Sequence, residues 1–217
     1  MAGLSADRVR ENAERVRAGI DAAAGRAGRD PGDVELLVAV KYVAVEDLGA
    51  LIDAGLTLFG ENRAQELEAK AAAWPDERVR WHFIGQLQSR KVKQILPHVE
   101  LIHSVASDSA LAQLERHGTP DTEILVEVNV AGEGGKAGIE PAELGAFISR
   151  APVRVTGLMG MPPFAEDPEA SRPHFAALRE LAAEHGLDRL SMGTSQDYAV
   201  AVEEGATIVR VGSVLFD

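Results

Sequence analysis

The chain alternates between short apolar runs and longer segments in which apolar residues recur every three to five positions. The second pattern first covers residues 4–27, where charged residues separate the apolar ones, and it predicts an amphipathic helix. Gly28 ends this helix, and Asp30-Pro31-Gly32-Asp33 predicts a turn. The next run, residues 34–42, is almost entirely apolar until it reaches Lys41, as is typical of a strand buried on both faces.

Seven further strand-like runs follow, each preceded by a helix-like segment. The predicted strands cover residues 56–60, 79–85, 101–105, 123–130, 154–159, 189–192 and 207–211. The predicted helices cover residues 45–54, 64–73, 89–96, 107–117, 141–150, 168–185 and 197–204. Eight β units separated by helices indicate an α/β fold, a single (β/α)8 TIM-type barrel over residues 1–217 with an extra N-terminal helix and turn in residues 1–33. A doubly wound open sheet is the alternative, because periodicity does not show whether a sheet closes.

Composition narrows the classes of function. Cysteine is absent, which excludes disulfides, thiolate metal sites and cysteine nucleophiles, and we predict no metal site. The formal net charge of -12 argues against nucleic-acid binding, and the basic stretch at residues 88–93 suits a solvated helix face better than an anion-binding patch. No stretch resembles a signal peptide or a membrane span, so we expect a cytoplasmic protein that does not insert into a membrane.

Polar and small residues follow the predicted strands at their carboxyl ends. In a closed barrel these ends meet at one mouth, where barrel enzymes carry their active sites. The convergence is the main argument for a site, since each residue alone has a structural explanation. The residues are Lys41; Glu61, Asn62 and Arg63; Gly85 and Gln86; Ser104; Asn129; Met159; Gly193, Thr194 and Ser195; and Arg210, Gly212 and Ser213.

The loops after the seventh and eighth predicted strands have the composition of a phosphate site. Residues 191–197 supply small residues and hydroxyls before a helix, and residues 211–213 supply backbone amides that a ligand can approach closely. The alternative is that Thr194, Ser195 and Asp197 only cap the following helix.

A phosphorylated aldehyde held by these loops can form a Schiff base with Lys41, and pyridoxal 5′-phosphate (PLP) is the commonest ligand of this kind. Arg210 shares a strand face with Gly212 and can donate to a pyridine nitrogen. Because arginine stays protonated, that nitrogen would stay neutral and the ring would be a poor electron sink. The alternatives are a solvated Lys41 and an ion pair between Arg210 and a mouth carboxylate such as Glu61.

Six segments, in order along essentially the whole chain, resemble the pyridoxal phosphate homeostasis protein family. They are Val40-Lys41, residues 59–66 (FGENRAQE), residues 81–88 (WHFIGQLQ), residues 157–159 (GLM), residues 190–193 (LSMG) and residues 209–213 (VRVGS). The family is similar to the barrel domain of alanine racemase without that enzyme's second domain.

The resemblance implies roles for individual residues. Lys41 matches the lysine that holds PLP as an internal aldimine, Arg210 the arginine that faces the ring nitrogen, and Asn62 an asparagine beside the cofactor. The blocks that hold the phosphate contain Ser191, Ser195, Gly212 and Ser213, and Thr194 would add a hydroxyl near them. His82 lies in a family block without an assigned role, and a packed strand histidine is the simpler interpretation. Tyr42 stands where the family often has threonine.

The resemblance also implies a function. Family members bind PLP without established turnover and are regarded as keeping PLP and its supply to other enzymes in balance. We therefore expect no catalytic residues, PLP-dependent apo-enzymes as partners, and a monomer or weak dimer.

Two alternatives stay open. One is a PLP-dependent amino-acid racemase or lyase. A racemase needs a second acid/base, and of the two tyrosines, Tyr42 and Tyr198, the first would point away from the barrel interior if it extended the strand of Lys41. The other is a barrel for a different phosphorylated metabolite, in which Lys41 acts as a simple cation and the protein is colourless.

Overall fold

The computed structural model describes residues 3–216, and eight parallel strands in this part of the chain close into a barrel. The strands are β1 Glu35–Ala39, β2 Leu58–Glu61, β3 Arg80–Phe83, β4 Leu101–Val105, β5 Glu123–Glu127, β6 Arg154–Met159, β7 Arg189–Thr194 and β8 Ile208–Val211. Each strand pairs with the next, and β8 pairs back with β1, where Leu37 lies opposite Arg210. The predicted barrel is therefore confirmed, and the open doubly wound sheet is wrong.

The described residues form eight α-helices. They are α1 Ala6–Arg26, α2 Leu48–Asp53, α3 Ala64–Ala73, α4 Val92–Ile95, α5 Asp108–His117, α6 Leu144–Ser149, α7 Arg172–Glu184 and α8 Tyr198–Glu203. Helices α2 to α8 each connect two successive strands, as parallel pairing requires. Helices α2, α4, α6 and α7 are shorter than predicted because each begins as a 3₁₀ turn, at Val45–Asp47, Ser89–Lys91, Pro141–Glu143 and Pro168–Ser171.

The sheet has an apolar layer on each face. Six strand side chains form a cluster that contains no helical residue and therefore fills the barrel interior. They are Leu37, Leu58, Leu101, Leu125, Met159 and Ile208. The alternate strand positions pack against the helices in a larger cluster, in which Phe59 meets Trp81 edge to face with 5.3 Å between the ring centroids. A fully buried leucine contributes about 1.5–3 kcal/mol, so the two layers together hold the strand ends in place.

Helix α1 completes the outer ring of helices. It packs against α2, α8 and the 3₁₀ turn Ser213–Leu215, while no α-helix follows β8 in the described residues. An ion pair of 2.6 Å joins Arg26 to Glu203, and a Cβ at Gly19 would collide with Tyr198 Oη. The predicted extra N-terminal helix thus takes the place that an eighth connecting helix would fill.

Ion pairs close the barrel at the amino ends of the strands. Arg80 contacts Glu35 at 2.9 Å and Glu100 at 2.8 Å, and Arg189 contacts Glu35 at 3.1 Å and Glu123 at 3.2 Å. Such partly exposed pairs contribute about 0–1 kcal/mol each. They lie across the amino ends of β1, β3, β5 and β7. The opposite end is the open mouth. A search for membrane-crossing helices among the described residues finds none with the required length and apolarity.

Candidate functional site

Arg210 lies inside the barrel near its mouth and is 5 % exposed. Its Nη1 donates to Ser191 Oγ at 2.6 Å and its Nη2 donates to the carbonyl oxygen of Gly160 at 3.1 Å. Burial lowers the pKa of Arg210 to about 10, while the carboxylates of Asp197 and Glu127 oppose this shift. The guanidinium therefore stays protonated at neutral pH and is fixed between β7 and β8.

Glu61 does not pair with Arg210, so that sequence-based alternative is wrong. The two-residue period of β2 turns Glu61 away from the barrel interior, toward the helices. Its carboxylate instead contacts Lys70 of α3.

Two histidines continue the polar chain from Ser191 through the barrel interior. His103 Nδ1 lies 2.8 Å from Ser191 Oγ, and both His103 and His82 are fully buried. Burial lowers the pKa of His82 to about 3 and that of His103 well below its ordinary value, so both rings are neutral. His82 is a packed strand histidine as predicted, and its hydrogen-bond partner is a second histidine.

A cavity of about 380 Å³ opens at the mouth beside Arg210. Its walls come from the loops after β5, β6 and β7, and they include Glu127, Lys136 and the exposed Phe164. Burial raises the pKa of Glu127, the last residue of β5, while Arg210 opposes the shift. The cavity thus combines a fixed cation, a half-buried carboxyl group and an apolar rim. Two larger grooves lie at the amino ends of the strands, one beside Glu35 and Arg80 and the other beside Glu100 and Glu123.

Lys41 lies in a tight turn just beyond β1. The N–H of Val43 donates to the carbonyl oxygen of Val40 at 3.0 Å, so Lys41 and Tyr42 are the central residues of this turn. Both are exposed, and Lys41 Nζ lies 4.9 Å from the centroid of the Tyr42 ring. The expectation that Tyr42 points away from the barrel interior required it to extend the strand, and it does not, because β1 ends at Ala39. Lys41 does not line the cavity beside Arg210.

The loop after β7 is held by its own acidic residue. Asp197 Oδ1 accepts from the backbone N–H of Thr194 at 2.7 Å and from Thr194 Oγ1 at 3.0 Å, and Asp197 Oδ2 accepts from Ser171 Oγ at 2.8 Å. The Asp197 side chain makes no capping bond to α8, so the capping alternative does not describe this loop. The Thr194 hydroxyl is already engaged, which weakens its predicted role as a free donor.

The loops after β7 and β8 meet at the mouth. The N–H of Gly212 donates to Ser195 Oγ at 3.1 Å, and Ser213 follows as an exposed residue. The backbone N–H groups of Ser195 and Gln196 have no acceptor among the described residues. Free neighbouring amides of this kind bind anions, so the two loops suit a phosphate group. The Ala39 side chain would contact a Cβ at Gly212 at 3.5 Å, which places the end of β1 beside this loop.

Asn62 follows β2 and carries an unsatisfied acceptor. Its backbone N–H donates to Glu61 Oε1 at 2.6 Å, but its side-chain Oδ1 is buried and finds no hydrogen-bond partner in the described part of the chain. A buried oxygen without a partner costs about 1–3 kcal/mol and therefore suggests that a ligand or water supplies the donor.

The residues predicted for the site form two groups in the structure. Ser191, Thr194, Ser195, Arg210 and Gly212 are joined through β7 and β8, whereas Lys41 and Asn62 lie after β1 and β2.

Three residues of the site were not assigned a role by the sequence: His103, Glu127 and Lys70. The alternation within the strands contains a signal for the first two, because His103 is two residues after the interior Leu101 and Glu127 two residues after the interior Leu125. Lys70 lies on a predicted helix, where a lysine normally faces solvent, and nothing in the pattern marks it as buried.

Known proteins match this chain over almost its whole length. No protein-family model matches. The pyridoxal phosphate homeostasis protein of Aquifex aeolicus is 42% identical over 219 residues, which covers 95% of this chain and 96% of that protein. The protein of the same name from Pseudomonas aeruginosa is 40% identical over 217 residues, covering 96% of this chain and 94% of that protein.

Solved structures also superpose on almost the whole chain. PipY from Synechococcus elongatus PCC7942, solved with PLP bound, superposes with a TM-score of 0.81 at 32% identity, covering 96% of this chain and 100% of that chain. A lysine/ornithine decarboxylase from Vibrio vulnificus, complexed with putrescine, superposes with a TM-score of 0.71 at 16% identity. It covers 98% of this chain but only 62% of the decarboxylase, and it supports the fold alone.

Proposed function

The chain belongs to the pyridoxal phosphate homeostasis protein family, and we propose that it binds pyridoxal 5′-phosphate at the barrel mouth and takes part in the intracellular supply of this cofactor. The observation that carries the proposal is the buried, protonated Arg210, fixed by Ser191 and Gly160 beside two loops that suit a phosphate. The PLP-bound structure of the relative PipY supports it. Cytoplasmic location, a monomer or weak dimer, and delivery to PLP-dependent apo-enzymes belong to the same proposal.

Each side chain has a distinct task in this proposal. Lys41 supplies the amine, which condenses with the aldehyde carbon to form a C=N bond and release water. The free amides of Ser195 and Gln196, with Gly212 and Ser213, hold the phosphate. Asn62 would lie beside the pyridine ring of PLP, and a donor on the cofactor would pair with its unpartnered Oδ1.

Arg210 decides between storage and catalysis. A bound pyridine ring acts as an electron sink when its nitrogen is protonated. A guanidinium facing that nitrogen donates a hydrogen bond and does not lose its proton at neutral pH, so the nitrogen stays neutral. The residues therefore favour a protein that holds and releases PLP over one that breaks bonds at an amino acid.

The position of Lys41 is compatible with capture of an aldehyde. In the proposal its side chain leaves the Tyr42 ring and turns to the mouth. An exposed contact between a cation and an aromatic ring is worth about 0.5–1 kcal/mol, so this rotation costs little.

The test is covalent trapping. The purified chain is mixed with PLP, its visible absorption is recorded, and the adduct is reduced with borohydride and located by peptide mass spectrometry. We expect a yellow protein labelled at Lys41, no such adduct in Lys41→Ala, and an unchanged adduct in the control Lys93→Ala, which removes an exposed lysine of α4. A colourless wild-type protein would favour another phosphorylated metabolite, and a label on a different lysine would remove Lys41 from the site.

The racemase or lyase alternative is tested with the same preparation. A racemase would need one of the two tyrosines as its second acid/base. Tyr198 lies close to Gly19 on α1, outside the barrel, so only Tyr42, which lies beside Lys41, is near the site. A panel of amino acids should show no inversion or loss above the rate with free PLP. Turnover well above that rate would replace the storage proposal with an enzymatic one.

A further inference from the structure

A buried ion pair lies directly behind the turn that carries Lys41. The side chains of Lys70 and Glu61 are 2 % and 0 % exposed, and Lys70 Nζ contacts Glu61 Oε2 at 2.5 Å. The same Nζ donates to the carbonyl oxygen of Val40 at 2.7 Å. Lys70 belongs to α3, so one ammonium group ties this helix to the residue that precedes Lys41.

The carbonyl of Val40 is also the acceptor that closes the turn. It receives the N–H of Val43 at 3.0 Å, across the two central residues Lys41 and Tyr42. Lys70 therefore donates to the same oxygen that sets the geometry of the turn. Two donors on one carbonyl restrict the peptide plane that follows it, and this plane leads directly into Lys41.

The carboxylate of Glu61 performs the matching task on the neighbouring strand. Its Oε1 accepts from the backbone N–H of Asn62 at 2.6 Å and of Arg63 at 3.2 Å. The pair thus binds the backbone next to Lys41 on one side and next to Asn62 on the other.

Stability alone does not account for this arrangement. Removing two charges from water is expensive, and apolar residues of similar volume often stabilise a core as well as a buried ion pair does. The outer layer around Lys70 is otherwise apolar and includes Leu67 and Val40. What the charged pair adds is directional contact with two strand ends.

We propose that Lys70 and Glu61 are positioning residues that fix the turn of Lys41 and thereby speed the reaction of its amine with an aldehyde at the mouth. The proposal deepens the proposed PLP binding and rests on it. A reaction between two held groups slows by about tenfold or more when one of them is free to adopt other orientations.

The test uses the double variant Glu61→Leu/Lys70→Met, since a single substitution would leave one buried charge unpaired and can prevent folding. Two measurements are made on the full chain: the rate at which Lys41 is trapped on PLP with borohydride, and the hydrogen exchange of the Val43 amide. We expect trapping to slow about tenfold and Val43 exchange to rise about tenfold. Leu114→Ala is the control, because Leu114 is a buried residue of α5, the helix between β4 and β5, and it should lower the melting temperature without changing either measurement.

The outcomes separate this inference from the proposed function. Wild-type protein that traps no PLP on Lys41 refutes the proposed function, and Val43 exchange then still decides whether the pair holds the turn. Unchanged Val43 exchange in the double variant overturns the inference. Faster exchange with an unchanged trapping rate also overturns it, because the turn would then be held without any effect on the amine.

Discussion

His82 Nδ1 lies 3.0 Å from His103 Nε2 inside the barrel, so two imidazoles share one hydrogen bond with no water-exposed atom between them. His103 continues to Ser191, and Ser191 accepts from Arg210. A neutral imidazole carries one donor and one acceptor, so the tautomer of His103 dictates the tautomer of His82. The remaining Nε2 of His82 has no hydrogen-bond partner within residues 3–216 and lies 4.0 Å from Glu100 Oε2.

This histidine pair should make the protein sensitive to mild acid. The folded state lowers the pKa of His82 to about 3, whereas the unfolded chain titrates near pH 6.5. Above about pH 6.5 His82 is neutral in both the folded and the unfolded chain, so protonation costs no stability. Below this pH the histidine binds a proton in the unfolded chain but not in the folded protein, and the free energy of unfolding falls. We expect the free energy of unfolding in urea to fall by about 1.5 kcal/mol per histidine between pH 6.5 and pH 5.

Substitution separates this effect from the titration of carboxyl groups. His82→Gln should be less stable than the wild type at pH 7 but should lose less stability between pH 6.5 and pH 5. His185→Gln is the control, because His185 is exposed and should keep the wild-type pH dependence. An identical pH dependence in His82→Gln and the wild type would contradict the assignment of a neutral His82.

Much of this architecture could be predicted from the sequence, and the limits have physical causes. The strands Leu101–Val105 and Arg154–Met159 and the helix Ala64–Ala73 have the predicted bounds, since each is a clean periodic run. The strand predicted over residues 123–130 ends earlier, at Glu127, because Val128 makes only an isolated bridge to Ile139 in the following loop.

The candidate site was predicted less completely than the fold. Periodicity shows which face a residue occupies but not which distant residue it meets. The contacts between His82 and His103 and between Ser191 and Arg210 depend on strand register around the closed barrel, which a single sequence does not contain. The sequence did not predict the turn at Lys41, because the apolar run continues past Ala39, the last residue of β1.

Arg210 should contribute both to the stability of the fold and to the binding of PLP. Arg210→Gln removes two buried hydrogen bonds to Ser191 and Gly160, and bonds to a charged group contribute about 1.5–3 kcal/mol each. We expect a lower melting temperature and a PLP dissociation constant raised about tenfold or more, measured by absorbance titration. Arg116→Gln, at an exposed position of α5, should change neither. Wild-type affinity in a folded Arg210→Gln would remove the arginine from the proposed site.

Gly193 should not tolerate a side chain. Its φ is +89°, and a Cβ there would lie 2.5 Å from Ala201 Cβ and 3.0 Å from Tyr198 Cα. Gly193→Ala therefore combines an unfavourable backbone conformation with overpacking against α8, for a loss of about 2–4 kcal/mol in urea unfolding. Gly134→Ala is the matched control, since no atom lies within 4 Å of its Cβ and the change should stay within about 0.5 kcal/mol. Equal stabilities of the two variants would show that the backbone at Gly193 adjusts freely.

The phosphate should contribute strongly to the binding of PLP. Two free amides, of Ser195 and Gln196, are available to a dianion, and hydrogen bonds to a charged group are worth about 1.5–3 kcal/mol each. Pyridoxal, which lacks the phosphate, should therefore bind on the order of 100-fold more weakly than PLP.

Ser195→Ala tests whether this preference comes from the joined loops. The substitution removes the acceptor of the Gly212 N–H, so the loops after β7 and β8 lose their direct contact at the mouth. The preference for PLP over pyridoxal should fall to about tenfold, mainly through weaker PLP binding, while Lys41 is still labelled. Ser149→Ala, which changes an exposed hydroxyl on α6, should keep the full preference. If wild-type protein bound both aldehydes equally, the loops after β7 and β8 would not be the phosphate site, and Lys41 alone would account for capture.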